Sequence, residues 1–326
     1  MKISIHFEIR VNIVKDVEHA DKSVSCAETK QALSVDFYEK MENEIEKLSH
    51  LRSLSTIENY RMALRSFREF QNSHPDDKVL DHALLKQYEL WLRQRHVSLN
   101  TCSCYMRSLR SLATKIYGDD AKSWFKEVYT GCDTTDKRAI DESDIAKLRG
   151  LKLKQKSFMS MVRDLFLFSF YALGMPFVDL AFLRKSQIAD GKITYYRQKT
   201  GQRITIPIEP CMQDIINRYQ SDNRDYVFPL LKSGDTLQCQ KAYRTMLNRY
   251  NHTLKVLGKR AGVSRRLTSY VARHTWASIA YQSNVDLSVI SKALGHTNPQ
   301  HTPVYIQQIN DNRVNEAVRK ILTKIL

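Results

Sequence analysis

Between Ser34 and Tyr117 apolar residues recur every three or four positions, the period of a helix that buries one stripe. Ile57, Tyr60, Leu64, Phe67 and Phe70 form such a stripe in a segment beginning at Ser55, and His74-Pro75-Asp76-Asp77 breaks it. Leu80, Leu84, Leu85, Tyr88, Trp91 and Leu92 form a second. A third stripe, Tyr105, Met106, Leu109, Leu112, Ala113 and Ile116, predicts a helix capped by Asn100 and ended by Gly118. Helices of this size on short connections predict a bundle of about 90–100 residues.

Trp124 to Lys137 is polar, with Gly131, Asp133, Thr134, Thr135 and Asp136 close together, and reads as a domain boundary. Beyond it Asp141 and Ser143 open a short helix that Gly150 ends. Gln155 to Leu173 is apolar and helical, stopped by Gly174, with Pro176 in the first turn of the next helix. The period changes to two at Lys192 to Ile208. There Ile193, Tyr195 and Arg197 alternate, Lys199-Thr200-Gly201-Gln202 turns, and Ile204, Ile206 and Ile208 alternate back: a hairpin with a lysine at its tip. Helices resume at Pro210–Tyr219, Gln238–Gly258, Arg273–Gln282 and Asp286–Leu294, with Gly295 as a C-cap. A last amphipathic segment, Asn312–Leu326, presents Val314, Val318, Ile321 and Leu322 on one face. At the other end Ile3, Ile5, Phe7, Ile9, Val11 and Ile13 alternate, predicting a strand within residues 1–33, a segment whose role the pattern does not reveal. The expected fold class is mainly α with a small β-hairpin: an N-terminal helical domain over 34–130, a linker over 131–140 and a second domain over 141–326.

A length of 326 residues suits two domains, and only 10 Gly and 7 Pro disfavour a turn-rich β architecture. Apolar runs reach nowhere near the roughly 18 residues of a membrane span, and Glu8 and Arg10 interrupt any signal-peptide core, so no membrane partner is expected. Six cysteines in a long chain without an export signal imply reduced thiols and a cytoplasmic setting. Cys102 and Cys104 are a close pair without a matching second pair or a nearby His, which predicts buried thiols and no metal. Charge is placed unevenly. Residues 133–326 carry 31 basic against 16 acidic side chains, which is +15 of the total +16. Such asymmetry predicts a polyanion, nucleic acid being the usual one, bound mainly by the C-terminal part.

The chain lacks a G-x-x-x-x-G-K-[ST] loop, G-x-G-x-x-G, H-E-x-x-H and G-x-S-x-G, so ATP chemistry and metal hydrolysis have no handle, and no cofactor is expected. What remains is ordered: Lys199 on the hairpin turn, Arg273-His274-Thr275 starting a helix, Leu294-Gly295-His296 ending one, and Tyr305 nine residues later. A phosphodiester attacked by an enzyme's own nucleophile needs a hydroxyl, cations for its equatorial oxygens and an acid for the departing oxygen. Tyr305, Arg273 with His296, and Lys199 are compatible with those roles without a metal. Taken singly, each has an ordinary structural reading: a packing tyrosine, a helix-end histidine, a solvated loop lysine.

From about residue 34 onward the chain resembles the tyrosine recombinases, or phage-type integrases. The resemblance rests on the ordered lysine hairpin, Arg-His-Thr, Leu-Gly-His and tyrosine, with Ser55-Thr56-Ile57-Glu58-Asn59-Tyr60-Arg61 similar to the start of the family's SAM-like core-binding domain. Lys137-Arg138-Ala139-Ile140 resembles the approach to its catalytic domain. The resemblance implies that Tyr305 attacks a scissile phosphate to give a 3′-phosphotyrosyl link. Lys199 would protonate the leaving 5′-oxygen, and Arg273 and His296 would hold the non-bridging oxygens. It implies double-stranded DNA as partner, four protomers acting on two DNA sites from a monomer in solution, and an exchange helix at 312–326. Lys137, Arg138, Arg107, Arg110, Arg265 and Arg266 are the expected DNA contacts, all of which also suit solvated surface.

Two positions depart from the family pattern. The first catalytic arginine normally follows Gly-Leu or Gly-Met and precedes an acid by three residues; Gly174-Met175-Pro176-Phe177-Val178-Asp179 puts Pro176 there and keeps the acid. The position three before Arg273, usually His, is Tyr270, a candidate phosphate contact. This variant resembles recombinases of Bacteroides-type bacteria and their mobile elements. Arg163, Arg184 and Arg138 are candidates to supply the missing charge. Besides integration, excision or inversion by an active enzyme, the departures leave open a DNA-binding relative that has lost cleavage and acts architecturally, and a relaxing enzyme that shares the chemistry.

Overall fold

The computed structural model describes residues 31–32, 35–75, 79–133, 138–220, 225–232, 236–298 and 302–303. The chain divides into two units between Thr134 and Thr135. The strand expected near the N-terminus, Lys137, Tyr305 and the segment 312–326 all lie outside the described residues.

The first unit is built on strand β1 (Gln31–Ala32), helices α1 (Val35–Ser49) and α2 (Leu54–Ser73), strand β2 (Val79–Leu80), and helices α3 (His82–Gln94) and α4 (Leu99–Tyr117), with β1 antiparallel to β2. The predicted stripes are the buried faces: Ile57, Tyr60, Leu64, Phe67 and Phe70 of α2 meet Leu84, Leu85, Tyr88 and Leu92 of α3 and Met106, Leu109, Leu112 and Ala113 of α4. Each of α2, α3 and α4 starts where a side-chain oxygen accepts an otherwise unsatisfied backbone N–H: Ser53 from Thr56, Asp81 from Leu84, Ser98 from Thr101. The cap of α4 is therefore Ser98, not Asn100. The amide of Asn100 instead clasps Asp133, donating to its carbonyl at 3.0 Å and accepting its N–H at 2.8 Å.

A second correction concerns the polar stretch. A 3₁₀ helix over Asp119–Phe125 buries Ala121, Trp124 and Phe125, and Val128 follows them into the same core. The core thus runs past the start of the expected boundary, because so few apolar residues on a tight turn carry no helical period. Beside this segment Glu89, 1% exposed, accepts from Lys86 (3.2 Å), Arg93 (2.6 Å) and the Tyr129 N–H (3.4 Å).

The second unit contains α5 (Glu142–Gly150), α6 (Phe158–Tyr171), α7 (Phe177–Ala181), the strands β3 (Ile188–Ala189), β4 (Lys192–Tyr196) and β5 (Arg203–Pro207), then α8 (Pro210–Arg218), α9 (Thr236–Ala261), α10 (Val271–Gln282) and α11 (Leu287–Ala293). Helix α6 is the hub: Val162, Leu165, Phe166, Leu167 and Phe168 are buried, and α5, α8, α9 and α10 all pack on it. That all-round burial is why its sequence reads as one apolar run. The hairpin forms as expected, Ile193 opposite Ile206 and Tyr195 opposite Ile204, and gains a third antiparallel strand, β3, too short to show alternation. Ile193, Tyr195, Ile204 and Ile206 face the core from it. Among the described residues no helix is long and apolar enough to cross a membrane.

Candidate functional site

The first turn of α10 delivers Arg273, and the chain around it leaves room for little else. Gly174 is in the left-handed region (φ +69°), and a Cβ there would lie 2.7 Å from the Arg273 Cα, so glycine is what lets α10 approach. The buried guanidinium is held by carbonyls: Nη1 donates to Gly174 O at 3.1 Å and Nη2 to Leu294 O. Nη2 also lies 3.1 Å from His296 Nε2. A guanidinium has only donors, so this bond makes Nε2 the acceptor and puts the imidazole proton on Nδ1, which meets the buried Thr302 hydroxyl at 2.9 Å. Thr275, two residues beyond Arg273, accepts the Ile140 N–H at 3.1 Å and pins the start of the unit to α10.

The hairpin meets these groups through its turn. Arg197 N donates to Gln202 O at 2.9 Å and Gly201 N to Arg197 O at 2.8 Å, closing the turn that exposes Lys199. The Thr200 hydroxyl donates to Gly295 O at 3.0 Å. Arg197 itself points inward: Nη1 donates to Leu294 O at 2.7 Å, and Nε stands 3.6 Å from Asp179 Oδ2. Gly295 (φ +63°) is as tightly set as Gly174, since a Cβ would lie 2.7 Å from Arg197 Cδ. Asp179, on α7 just after Pro176, accepts the Gln198 N–H on Oδ1 at 2.9 Å and has no hydrogen bond on Oδ2. Burial raises its carboxyl above the usual range, against the opposing pull of the Gln198 N–H, Arg197 and Arg273. Burial likewise raises the phenol of Tyr195, with Asp179 adding to it.

Of the expected site residues, Arg273 and His296 touch, and Lys199 rides on a turn tied to the two carbonyls preceding His296. Tyr270 is the N-cap residue of α10, half-buried, its ring 5.9 Å from that of His274. Arg265, Arg266 and Arg138 are exposed in this unit; Arg107 (exposed) and Arg110 (half-buried) sit on α4 of the other. The candidates for the missing charge fare differently. Arg163 is engaged by Asp164 Oδ1 and Leu151 O, each at 2.7 Å, and Arg184 and Arg138 are exposed.

The residue missed is Arg197. In sequence it marks the strand period after Ile193 and Tyr195, and that is the signal that betrays it: both are buried, so the next position in phase places an arginine indoors. Among the described residues no cluster of His, Cys, Asp or Glu suits a metal ion.

Comparisons with known proteins converge. Residues 140–312 match the profile of the Phage integrase family, and residues 36–121 that of the Phage integrase SAM-like domain. Tyrosine recombinase XerD of Oceanobacillus iheyensis is 22% identical over 260 residues, 77% of this chain and 86% of that protein. The integrase of Escherichia phage 186 is 30% identical over 148 residues, 45% and 38% respectively. The fold is similar to that of XerH site-specific recombinase bound to a palindromic difH substrate (TM-score 0.61, 16% identity, 86% of this chain and 83% of that one). It is also similar to lambda integrase, solved as a dimer bound to a COC′ core site (TM-score 0.59, 13% identity, 85% and 78%).

Proposed function

Because the chain belongs to the phage integrase family, we propose that it is a site-specific DNA recombinase that cleaves and rejoins duplex DNA through a 3′-phosphotyrosyl intermediate. One observation carries the reading at the level of chemistry: Arg273 and His296 meet side by side, the guanidinium fixed by two backbone carbonyls and almost wholly out of water. Donors fixed in advance at low dielectric are what a developing phosphorane charge requires.

In this mechanism the Tyr305 phenolic oxygen attacks phosphorus and the bond from phosphorus to the 5′-oxygen breaks. Lys199 gives that oxygen its proton, Arg273 neutralises the non-bridging oxygens, and His296 holds one of them from Nε2 once that nitrogen carries the imidazole proton. The free 5′-hydroxyl of a second duplex then attacks the phosphotyrosine, returning the phenol. One ester replaces another at each step, so neither nucleotide nor metal enters the balance. Tyr270, one turn before His274 on α10, is a further phosphate contact.

The helical unit over 34–130 binds the duplex with Arg107 and Arg110. The catalytic unit over 141–326 adds Arg265 and Arg266, and Lys137 and Arg138 line the linker between. Monomers assemble as four protomers on two sites, with 312–326 as the exchange helix. A duplex-DNA substrate implies a cytoplasmic setting. Neutralising phosphates by Lys and Arg makes binding fall steeply with salt.

The test is covalent capture. From a pool of nicked duplexes of randomised sequence, the wild-type protein retains a set of DNAs under denaturing conditions, and Tyr305→Phe retains none. Salt-sensitive shifts without any adduct would instead identify a binder that has lost cleavage. Relaxation of supercoils without paired sites would identify a relaxing enzyme.

A further inference from the structure

We propose that Arg197 is a catalytic residue, delivering from the hairpin the second guanidinium that neutralises the scissile phosphate, in place of the arginine the family carries where this chain has Pro176; the proposal rests on the recombinase reading above. Pro176 is the N-cap of α7 and offers neither charge nor donor. Three residues on, Asp179 is nevertheless buried and aimed at a guanidinium, which belongs to Arg197. The acid of the family pattern is kept and its basic partner arrives from another element.

Three features separate Arg197 from a mere bracket between hairpin and loop. It shares an acceptor with Arg273: Nη1 of one and Nη2 of the other both bond Leu294 O, so the two cations lie within about 5 Å. Among the described residues Asp179 is the carboxylate recorded beside both guanidiniums, although the side chains are 4% and 1% exposed. Two guanidiniums brought together out of water repel each other, and a phosphodiester monoanion between them offsets that cost. Finally, Nη2 of Arg197 makes no hydrogen bond to a described residue, while Nη1 is anchored and Nε faces Asp179. The side chain is oriented in advance and retains donors for a ligand.

The test uses the DNA sequence captured by the wild-type protein, made as two nicked duplexes: one with an ordinary scissile phosphodiester, one with an uncharged methylphosphonate there. An arginine that neutralises the phosphate loses its purpose on the second. Arg197→Met lowers the rate of adduct formation about 10²-fold or more on the phosphodiester, and less than about tenfold relative to wild type on the methylphosphonate. Lys199→Ala, which removes the acid, is equally impaired on both. Arg197→Lys keeps a cation beside Asp179 should the Met variant fail to fold, and shows the same narrowing. Adding Pro176→Arg to Arg197→Met restores part of the rate. Equal losses on the two duplexes, or a loss below about threefold on the phosphodiester in a folded variant, overturn the role of Arg197 alone. No adduct from the wild type overturns the recombinase reading and this role with it.

Discussion

Two buried carboxylates show how the halves of this molecule use charge. Glu89 and Asp179 are 1% and 4% exposed, and each faces two cations. Burial pushes the Glu89 carboxyl up, but Lys86, Arg93 and the Tyr129 N–H outweigh it, and the net shift is downward. Both cations of Glu89 are themselves about half exposed, so that the ion pairs are closed on one side by protein and on the other by water. Asp179 moves the other way: burial prevails over Gln198, Arg197 and Arg273, and one oxygen lacks a hydrogen bond. Glu89 is a satisfied fastening. Asp179 stands beside two buried guanidiniums with one oxygen left without a hydrogen bond.

Asp179→Asn keeps an acceptor for the Gln198 N–H but releases Arg197. Adduct formation falls by about 10–100-fold, the cost of freeing a supporting partner, while thermal stability changes little. A large loss of stability with an unchanged rate would make Asp179 the same kind of fastening as Glu89. Glu89→Gln does the reverse. It costs about 1–2 kcal/mol of stability in denaturant titrations and leaves the rate per folded molecule unaltered.

The two shifts also oppose each other in their pH dependence. The folded value of Glu89 is depressed, so its stabilisation is full above the ordinary 4.5 and is lost as pH falls through the folded value. That of Asp179 is raised, so its stabilisation is full below the ordinary 3.8 and fades as pH rises through the folded value. Melting curves of wild type against each variant, from mildly acidic pH downward, separate the two: the Glu89→Gln deficit shrinks as pH falls, and wild type gains on Asp179→Asn. Parallel curves would remove the distinction. The smallest effect expected is that of Thr275→Val, which strips the Ile140 N–H of its acceptor and costs about 1 kcal/mol.

The same contrast explains what could be read from sequence. The helical bundle was legible because its stripes are long, so Ile57 to Phe70 announce one face by period alone. Ser98 and Asn100 both suit a helix start, and the clasp on Asp133 that decides between them is 33 residues distant. In the candidate site, the contact of Arg273 with His296 beside the Lys199 turn was legible from order and spacing. Arg197 was not, because its meaning depends on Asp179 and Leu294, which come to it across the fold. A charged side chain in phase with Ile193 and Tyr195 is the local inconsistency that flags such a residue.

The carbonyl of Leu294 carries one last implication. A single oxygen at the end of α11 fastens a side chain of the hairpin and a side chain of α10. These pieces are therefore not interchangeable parts. In a chimaera with a relative, transplanting β4–β5 without the loop after α11, or the loop without the hairpin, would separate the two cations even if every transplanted residue matched. The hairpin and the loop have to travel together.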